Sequence, residues 1–140
     1  MDELQFLPGG QLKQNRHNRR LIFAKTGGIC TYCGRAIDPF GRWHIEHMQP
    51  KKKGGHTDHE NLWPACQACN LKKGGRTPEE YRQVLVGWAI VGADYVEMVA
   101  GLVCVCNPEM ADQLKEQASA IRQTASDYLP GFYFEKMESA

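Results

Sequence analysis

Two Cys-x-x-Cys pairs are the residues of this 140-residue chain whose spacing points most directly to chemistry. Cys30 and Cys33 form the first pair, and Cys66 and Cys69 form the second. Two thiolates on one tight turn can bind a single ion, and two such turns complete the tetrahedral coordination of zinc. The zinc would be structural and would close the 32-residue insertion between the pairs. Two disulfides or a redox pair are the alternatives, but no thioredoxin-like pattern surrounds either motif.

The insertion and the second pair carry side chains suited to hydrolysing a phosphodiester bond. His47 can act as a general base near neutral pH. Glu46 and Asn70 offer the hard oxygen ligands that Mg²⁺ or Mn²⁺ prefers, and such a cation stabilises charge developing on a phosphate. A carboxylate beside a base can alternatively orient the imidazole without binding metal. Because Asn70 directly follows Cys69, the structural zinc would also fix this ligand in place.

These residues resemble the HNH (ββα-metal) endonuclease family, in the subtype with a flanking four-cysteine zinc site. The resemblance spans about residues 29–80 and implies that Glu46 binds the catalytic metal while His47 activates water. It further implies that Asn61, fourteen residues after His47, holds the loop and orients the base, and that Lys73 contacts a phosphate. The family often has Asp where this chain has Glu46, which leaves the metal geometry less defined. The implied substrate is double-stranded DNA, cut to leave 5′-phosphate and 3′-hydroxyl ends.

Other polar side chains near these motifs could have either a structural or a functional role. His44 shares the strand face of Glu46, so it is a third ligand, a phosphate contact or a packing residue. Basic side chains beside the proposed site could be a solvated loop, but their placement favours DNA binding with a strong salt dependence. The predicted DNA-binding residues are Lys51, Lys52, Lys53, Lys72 and Arg76.

The charges are distributed unevenly along the chain. Residues 1–76 carry 13 Lys and Arg against 6 Asp and Glu, whereas residues 77–140 carry 4 against 10. This asymmetry indicates a basic half that meets a polyanion. No apolar region of a secretory signal follows Met1, and the longest apolar stretch contains Asp94 and Glu97. We therefore expect a cytoplasmic protein without a membrane partner.

The pattern of elements predicts an α+β fold with three parts. Residues 1–28 form a basic helical segment, in which Leu12 and the arginines share a helix and residues 21–23 enter the core. Residues 29–76 form a ββα-metal core, with a two-stranded ribbon over residues 43–45 and 62–65. Residues 77–140 form a helical lobe.

Within the helical lobe, Thr77 and Asn107 are predicted helix caps, each followed by Pro. Glycines at 87, 92 and 101 indicate a break in the first helix. Cys104 and Cys106 are predicted to be small buried hydrophobes. The predicted inward faces comprise Tyr81, Leu85, Trp88, Val91, Tyr95, Met98 and Leu102, and then Met110, Leu114, Ile121, Ala125 and Tyr128.

Three functions are compatible with these motifs. A metal-dependent DNA endonuclease needs Glu46, His47, Asn61 and Asn70 together, and their joint presence favours it. A non-catalytic zinc module that binds nucleic acid needs only the cysteines and lysines. A dimerisation domain would use residues 77–106, because their apolar helix face could pair two copies of the chain.

Overall fold

The computed structural model describes residues 3–127 and 131–138, with side chains through residue 125 in the first range. The chain divides into two compact units, Met1–Tyr81 with Phe132–Ala140, and Arg82–Gly131. These bounds differ from the predicted divisions at residues 28 and 76. The helices and the small sheet together make the protein α+β, as predicted.

The first unit contains a two-stranded ribbon followed directly by a helix. Strand β1 (Trp43–His47) pairs antiparallel with β2 (Leu62–Cys66), and the register aligns the first residue of each with the last of the other. Helix α2 (Gln67–Lys73) begins at the residue after β2. The predicted ribbon is confirmed and is slightly longer than expected. The connection between the strands includes a single 3₁₀ turn over Lys51–Lys53.

Helix α1 (Arg16–Ala24) precedes the ribbon and buries Ile22 completely. The Asn15 side chain caps its N-terminus by accepting from the backbone N–H of Asn18. The expectation that Leu12 lies on this helix is wrong. Leu12 instead pairs with Phe6 in a short hairpin, because the turn between them contains two glycines with positive φ.

The C-terminal segment belongs to the first unit, although the sequence placed it in the helical lobe. In the first turn of helix α5 (Tyr133–Glu138), the backbone N–H of Phe134 donates to the carbonyl of Thr31 at 3.0 Å. Phe132 then joins an aromatic cluster, with its ring stacked on Tyr81 at 5.5 Å between centroids and edge-on to Tyr32 at 5.2 Å. Burial of these rings anchors the segment on the first cysteine pair.

Helices α3 (Pro78–Val103) and α4 (Pro108–Asp127) supply the second unit, and α3 begins in the first. Both predicted caps are confirmed, because Thr77 and Asn107 side-chain oxygens accept from the backbone N–H groups of Glu80 and Met110. The predicted break in α3 is wrong. Each helical glycine costs only about 1 kcal/mol relative to Ala, so a long helix tolerates three of them.

The buried face of the helical unit consists of alanines and not of large apolar side chains. Each helix places buried alanines seven residues apart, so that they recur every two turns, and Arg122 of α4 forms ion pairs with Asp94 and Glu97 of α3. Small side chains at this spacing let antiparallel helices approach closely. The buried alanines are Ala93 and Ala100 on α3, and Ala111, Ala118 and Ala125 on α4.

The predicted inward face of α3 is mostly exposed. Five of its side chains, which we call the apolar stripe, are between 53% and 72% exposed. They are Trp88, Val91, Tyr95, Met98 and Leu102. Met110 of α4 is also exposed, and Tyr128 lies outside the described residues. Cys104 and Cys106 are exposed rather than buried, because they lie in the turn after α3.

Helix α3 is long and apolar enough to cross a membrane, judged by length and composition alone. It contains most of the longest apolar stretch of the sequence. Helices at the core of globular proteins share this length and composition.

Candidate active site and metal centre

The four paired cysteines come together at one end of the ribbon. Their sulfur atoms all lie within 4.8 Å of one another, and the Sγ atoms of Cys33 and Cys66 are 3.9 Å apart. Tetrahedral zinc with bonds of about 2.3 Å separates its sulfur ligands by about 3.8 Å. The cluster therefore fits a zinc ion, with Cys30 and Cys69 buried and Cys33 exposed.

The crowding of these thiols makes them interdependent. Donation by the Cys69 thiol lowers the pKa of Cys30 to about 4. The same contact, together with burial, raises the pKa of Cys69, and burial raises the pKa of Cys33 to about 11. Without a cation the sulfurs cannot all ionise, whereas zinc binds them as thiolates. The cluster therefore suits a bound zinc ion better than four free thiols.

The cysteine cluster positions the start of α2. Cys66 ends β2 and its Sγ accepts from the backbone N–H of Cys69, so this ligand also caps the helix. The first pair is tied to the same strand, because Thr31 donates through its backbone N–H and its hydroxyl to the carbonyl of Pro64. Asn70 is therefore held one residue beyond Cys69 of the cluster, on the first turns of α2.

The carboxylate of Glu46 is buried and has two protein partners. The Tyr32 hydroxyl donates to Oε2 at 2.5 Å, and the Lys73 ammonium lies 2.5 Å from Oε1. Lys73 itself is fully buried and also donates to the carbonyl of His47 at 3.3 Å. Burial raises the pKa of Glu46, while Lys73 and Tyr32 oppose that shift. Each carboxylate oxygen retains a second lone pair for a further ligand.

This placement changes the expected role of Lys73. A side chain with no exposed surface cannot reach a phosphate in solution, and its ammonium is already paired with Glu46. The predicted phosphate contact therefore does not fit the structure. Lys73 instead neutralises a buried carboxylate and joins α2 to the end of β1.

His47 lies at the last position of β1 and is partly exposed. Its Nε2 is 2.9 Å from the hydroxyl oxygen of Thr57. If Nε2 donates to Thr57, the lone pair of Nδ1 remains available to accept a proton. Burial lowers the pKa of His47, and the charges of Lys51 and Lys73 lower it further. Both effects favour the neutral imidazole, which is the form that a general base requires.

One open cavity of about 280 Å³ is lined by the predicted general base and by the two predicted ligands of the catalytic metal. It is lined by residues of β1, the 3₁₀ turn and α2. Glu46, His47 and Asn70 thus border the same space as two lysines. The lining residues are Ile45, Glu46, His47, Pro50, Lys51, Lys52, Asn70, Gly74 and Gly75.

Asn61 lies at the end of the loop that joins the strands and bonds to both sides of it. Its Oδ1 accepts from the backbone N–H of Gln49 at 2.7 Å. Its Nδ2 donates to the carbonyls of Gln49 and His56 at 2.9 and 2.8 Å. These three bonds hold the loop that carries Thr57 near His47. Asn61 itself is not among the residues that line the cavity.

The remaining predicted basic residues differ in their surroundings. Lys53 forms an ion pair with Glu80, which lowers the pKa of that carboxyl, and Lys72 is exposed. Arg76 donates to the carbonyl of Lys72 at 3.0 Å and so caps the end of α2. Lys51 and Lys52 are the two that line the cavity. The five side chains thus do not form one uniform patch.

His44 lies in a second, larger groove of about 450 Å³, which it lines together with His47, Lys51 and Arg19. It is not among the residues that line the cavity of Glu46 and Asn70. This placement separates His44 from the two predicted ligands of the catalytic metal.

Two residues of the site had no recognisable signal in the sequence. Tyr32 lies between the first two cysteines, yet its hydroxyl bonds to Glu46 across the fold. Thr57 is one of several polar residues in a turn-rich loop, and only the fold brings it to His47. The position of Tyr32 inside a metal-binding turn was the only hint available for either of them.

Comparison with known proteins agrees with this geometry. Residues 30–76, about a third of the chain, match the model of the HNH endonuclease family. No curated protein and no solved structure shows significant similarity to the chain. The matched range contains the ribbon, the loop, α2 and all four clustered cysteines. Residues 30–76 are therefore similar to the HNH endonuclease family, and within them four cysteines are placed to hold a zinc ion.

Proposed function

We propose that this protein is a metal-dependent endonuclease that hydrolyses phosphodiester bonds of double-stranded DNA. The observation that supports this most strongly is the shared cavity, in which His47 lies with Glu46, Asn70 and the two lysines. A general base, oxygen ligands and cationic side chains around one space are the groups that phosphodiester hydrolysis requires. The match of residues 30–76 to the HNH family supports the same reaction class.

In this proposal the side chains around the cavity have different roles. Thr57 holds the imidazole through Nε2, and His47 accepts a proton from water on Nδ1. Lys51 and Lys52 bind the phosphate electrostatically. Glu46 and Asn70 would hold Mg²⁺ or Mn²⁺, and their carboxylate and amide oxygens suit these ions. A cation bound there would stabilise the charge that develops on the phosphate.

The buried ion pair affects how strongly such a cation binds. Glu46 is the only acidic residue among the described residues that line the cavity, and Lys73 cancels its charge. Divalent cations bind most strongly where uncompensated carboxylates meet. We therefore propose a weak metal site, in which the substrate phosphate supplies part of the negative charge that holds the cation.

The same ion pair is the observation that favours the second candidate, a zinc module that binds nucleic acid without cutting it. In that case Glu46 and Lys73 serve only to join β1 to α2. The module would keep the cysteine cluster and the exposed lysines but would not depend on His47. Cleavage assays separate the two candidates.

The decisive experiment is cleavage of supercoiled plasmid at low salt with Mg²⁺ or Mn²⁺. We expect nicked and linear products with 5′-phosphate ends from the wild-type protein, and none from His47→Ala. The endonuclease proposal fails if both proteins leave the plasmid supercoiled. The zinc-module candidate is then supported if both still retard DNA in a gel.

We also propose that two copies of the chain associate through the apolar stripe of α3. The five exposed side chains are spaced by three and four residues, which is the seam of a two-helix coiled coil. Such a repeat suits a second identical helix better than an irregular partner surface. A dimer would carry two HNH domains and could cut both strands of a duplex.

A further inference from the structure

A fully exposed aromatic side chain lies close to the arginines of α1. Phe40 is 97% exposed, an unfavourable position for a phenyl ring. It occupies the third position of a tight turn, in which Gly41 donates to the carbonyl of Asp38 at 3.0 Å. The Asp38 side chain accepts from the backbone N–H of Phe40 at 3.0 Å, and Pro39 fixes φ at the second position. An ordered backbone therefore holds this ring in solvent.

Arginines of α1 line a cavity of about 400 Å³ beside this turn. Arg16 and Arg20 are exposed, and neither forms an ion pair with any carboxylate of the described residues. Two unpaired guanidinium groups beside an exposed phenyl ring are complementary to a polyanion that also carries flat apolar groups. The lining residues are Arg16, Arg19, Arg20, Phe23, Pro39, Phe40 and Trp43.

This cavity adjoins the groove that contains His47. Arg19 and Trp43 line both, and the Arg19 guanidinium lies 3.9 Å from the centroid of the Trp43 ring. Arg19 also donates to the carbonyl of Trp43 at 3.2 Å, which keeps its side chain in place. One basic and aromatic surface therefore extends from His47 to Phe40.

We propose that a surface formed by Arg16, Arg20 and Phe40 binds a DNA strand at an unpaired base. Phe40 stacks on the base, and the two arginines contact the phosphates on either side of it. Stacking on an aromatic side chain needs an open base face, which an intact duplex does not offer. The inference deepens the proposed function, on which it rests, by assigning a preference for substrates with locally unpaired DNA.

Binding in the absence of cleavage tests this assignment. The His47→Ala protein is titrated, without divalent cations, into a fluorescently labelled single-stranded oligonucleotide and into its perfect duplex. We expect Phe40→Ala to weaken single-strand binding about 5- to 150-fold, the range typical of one base stacked on an aromatic ring. Phe40→Trp should retain binding. The matched control is Val105→Ala, which removes another exposed apolar side chain, 88% exposed, from the second unit.

The arginines give an independent readout. Replacing both Arg16 and Arg20 by Ala should lower the salt dependence of single-strand binding by a log–log slope of about 1.4, because each phosphate contact contributes about 0.7. A 2-aminopurine base in the oligonucleotide should lose its stacking signal only with Phe40→Ala. Circular dichroism should show each variant to be folded, as expected for exposed positions.

Three results would overturn the inference: an unchanged affinity of Phe40→Ala, a loss equal to that of Val105→Ala, or an equal loss on the perfect duplex. Failure of the proposed endonuclease function is distinguishable from these results. Absence of plasmid cleavage by the wild-type protein would contradict the proposed endonuclease function. A preference for single strands that depends on Phe40 could still be observed in that case.

Discussion

The Lys73 ammonium lies 2.5 Å from Oε1 of Glu46, and both side chains are buried. This pair joins the end of β1 to the end of α2, directly beside His47. Buried ion pairs add little net stability over apolar replacements, but removing one partner leaves an uncompensated charge. The pair therefore makes the geometry of the proposed active site sensitive to each of its members.

Removing one member of the pair should destabilise the protein strongly. We expect Lys73→Met to lower the free energy of unfolding by about 3–5 kcal/mol, because Glu46 then stays buried without its cation. Urea denaturation measures the change. Lys72→Met is the matched control, since Lys72 is the exposed neighbour on α2 and should change stability by less than about 0.5 kcal/mol.

The coupling between the two residues should appear in a double-mutant cycle. Glu46→Gln combined with Lys73→Met should cost less than the sum of the single changes, because neither charge remains buried. Additive effects would show that the ion pair does not form in solution.

Loss of a zinc ligand should affect folding and metal content together. We expect the wild-type protein to bind one zinc ion per chain and Cys66→Ala to bind none with comparable affinity, because three ligands leave the site open. The variant should lose the cooperative thermal transition of its first unit, since structural zinc contributes to folding directly. Metal analysis and thermal circular dichroism measure both effects.

Cys104→Ala is the control for this experiment. Cys104 is exposed and lies in the turn after α3, so its loss should leave zinc content unchanged. An equal loss of zinc from this variant would argue against a site formed by the four clustered sulfurs.

The hydrogen bond between His47 and Thr57 should matter for catalysis rather than stability. We expect His47→Ala to reduce the rate of plasmid cleavage by about 10²–10⁴-fold, the usual contribution of a general base. Thr57→Val should reduce kcat by a smaller factor, because the imidazole remains but is no longer oriented by a hydroxyl. His59→Ala, an exposed histidine of the same loop, should keep the wild-type rate. Wild-type kcat in Thr57→Val would show that this contact plays no part in the reaction.

Asn61 should control the order of the loop between the strands. Asn61→Ala removes three hydrogen bonds, each worth about 0.5–1.5 kcal/mol. Because these bonds are partly exposed, we expect a loss of about 1–3 kcal/mol, with faster amide exchange of Gln49. Asn61→Asp keeps the acceptor for Gln49 but loses both donors, so it should not restore the loop. Full protection of Gln49 in Asn61→Ala would contradict this role.

The apolar stripe of α3 gives a prediction about oligomeric state. Light scattering after size exclusion should show a dimer at micromolar concentration, and Met98→Lys should convert it to a monomer by placing a charge in the seam. Val105→Lys is the control, because Val105 is equally apolar but lies beyond the end of α3. A wild-type monomer would overturn the dimer, and binding to lipid vesicles instead would identify the stripe as a membrane contact.

The sequence alone was sufficient where the relevant residues are close in the chain or repeat at a characteristic spacing. Two Cys-x-x-Cys turns predicted the four-sulfur cluster because a tight turn fixes each pair locally. The helix caps at Thr77 and Asn107 depend only on the next three residues. Two short apolar runs among turn-forming residues predicted the ribbon. The resemblance to the HNH family singled out Glu46, His47 and Asn70, which all line one cavity.

Only the tertiary structure decided which charges are paired and which helix faces are buried. The resemblance to the HNH family implied that Lys73 contacts a phosphate, whereas its complete burial against Glu46 depends on the packing of α2 on β1. The apolar periodicity of α3 predicted a buried stripe, but the alanine face is the buried one, and hydrophobicity alone does not say which of two faces meets a neighbouring helix. Tyr32 and Thr57 reached the site through contacts between distant segments, which no local spacing specifies.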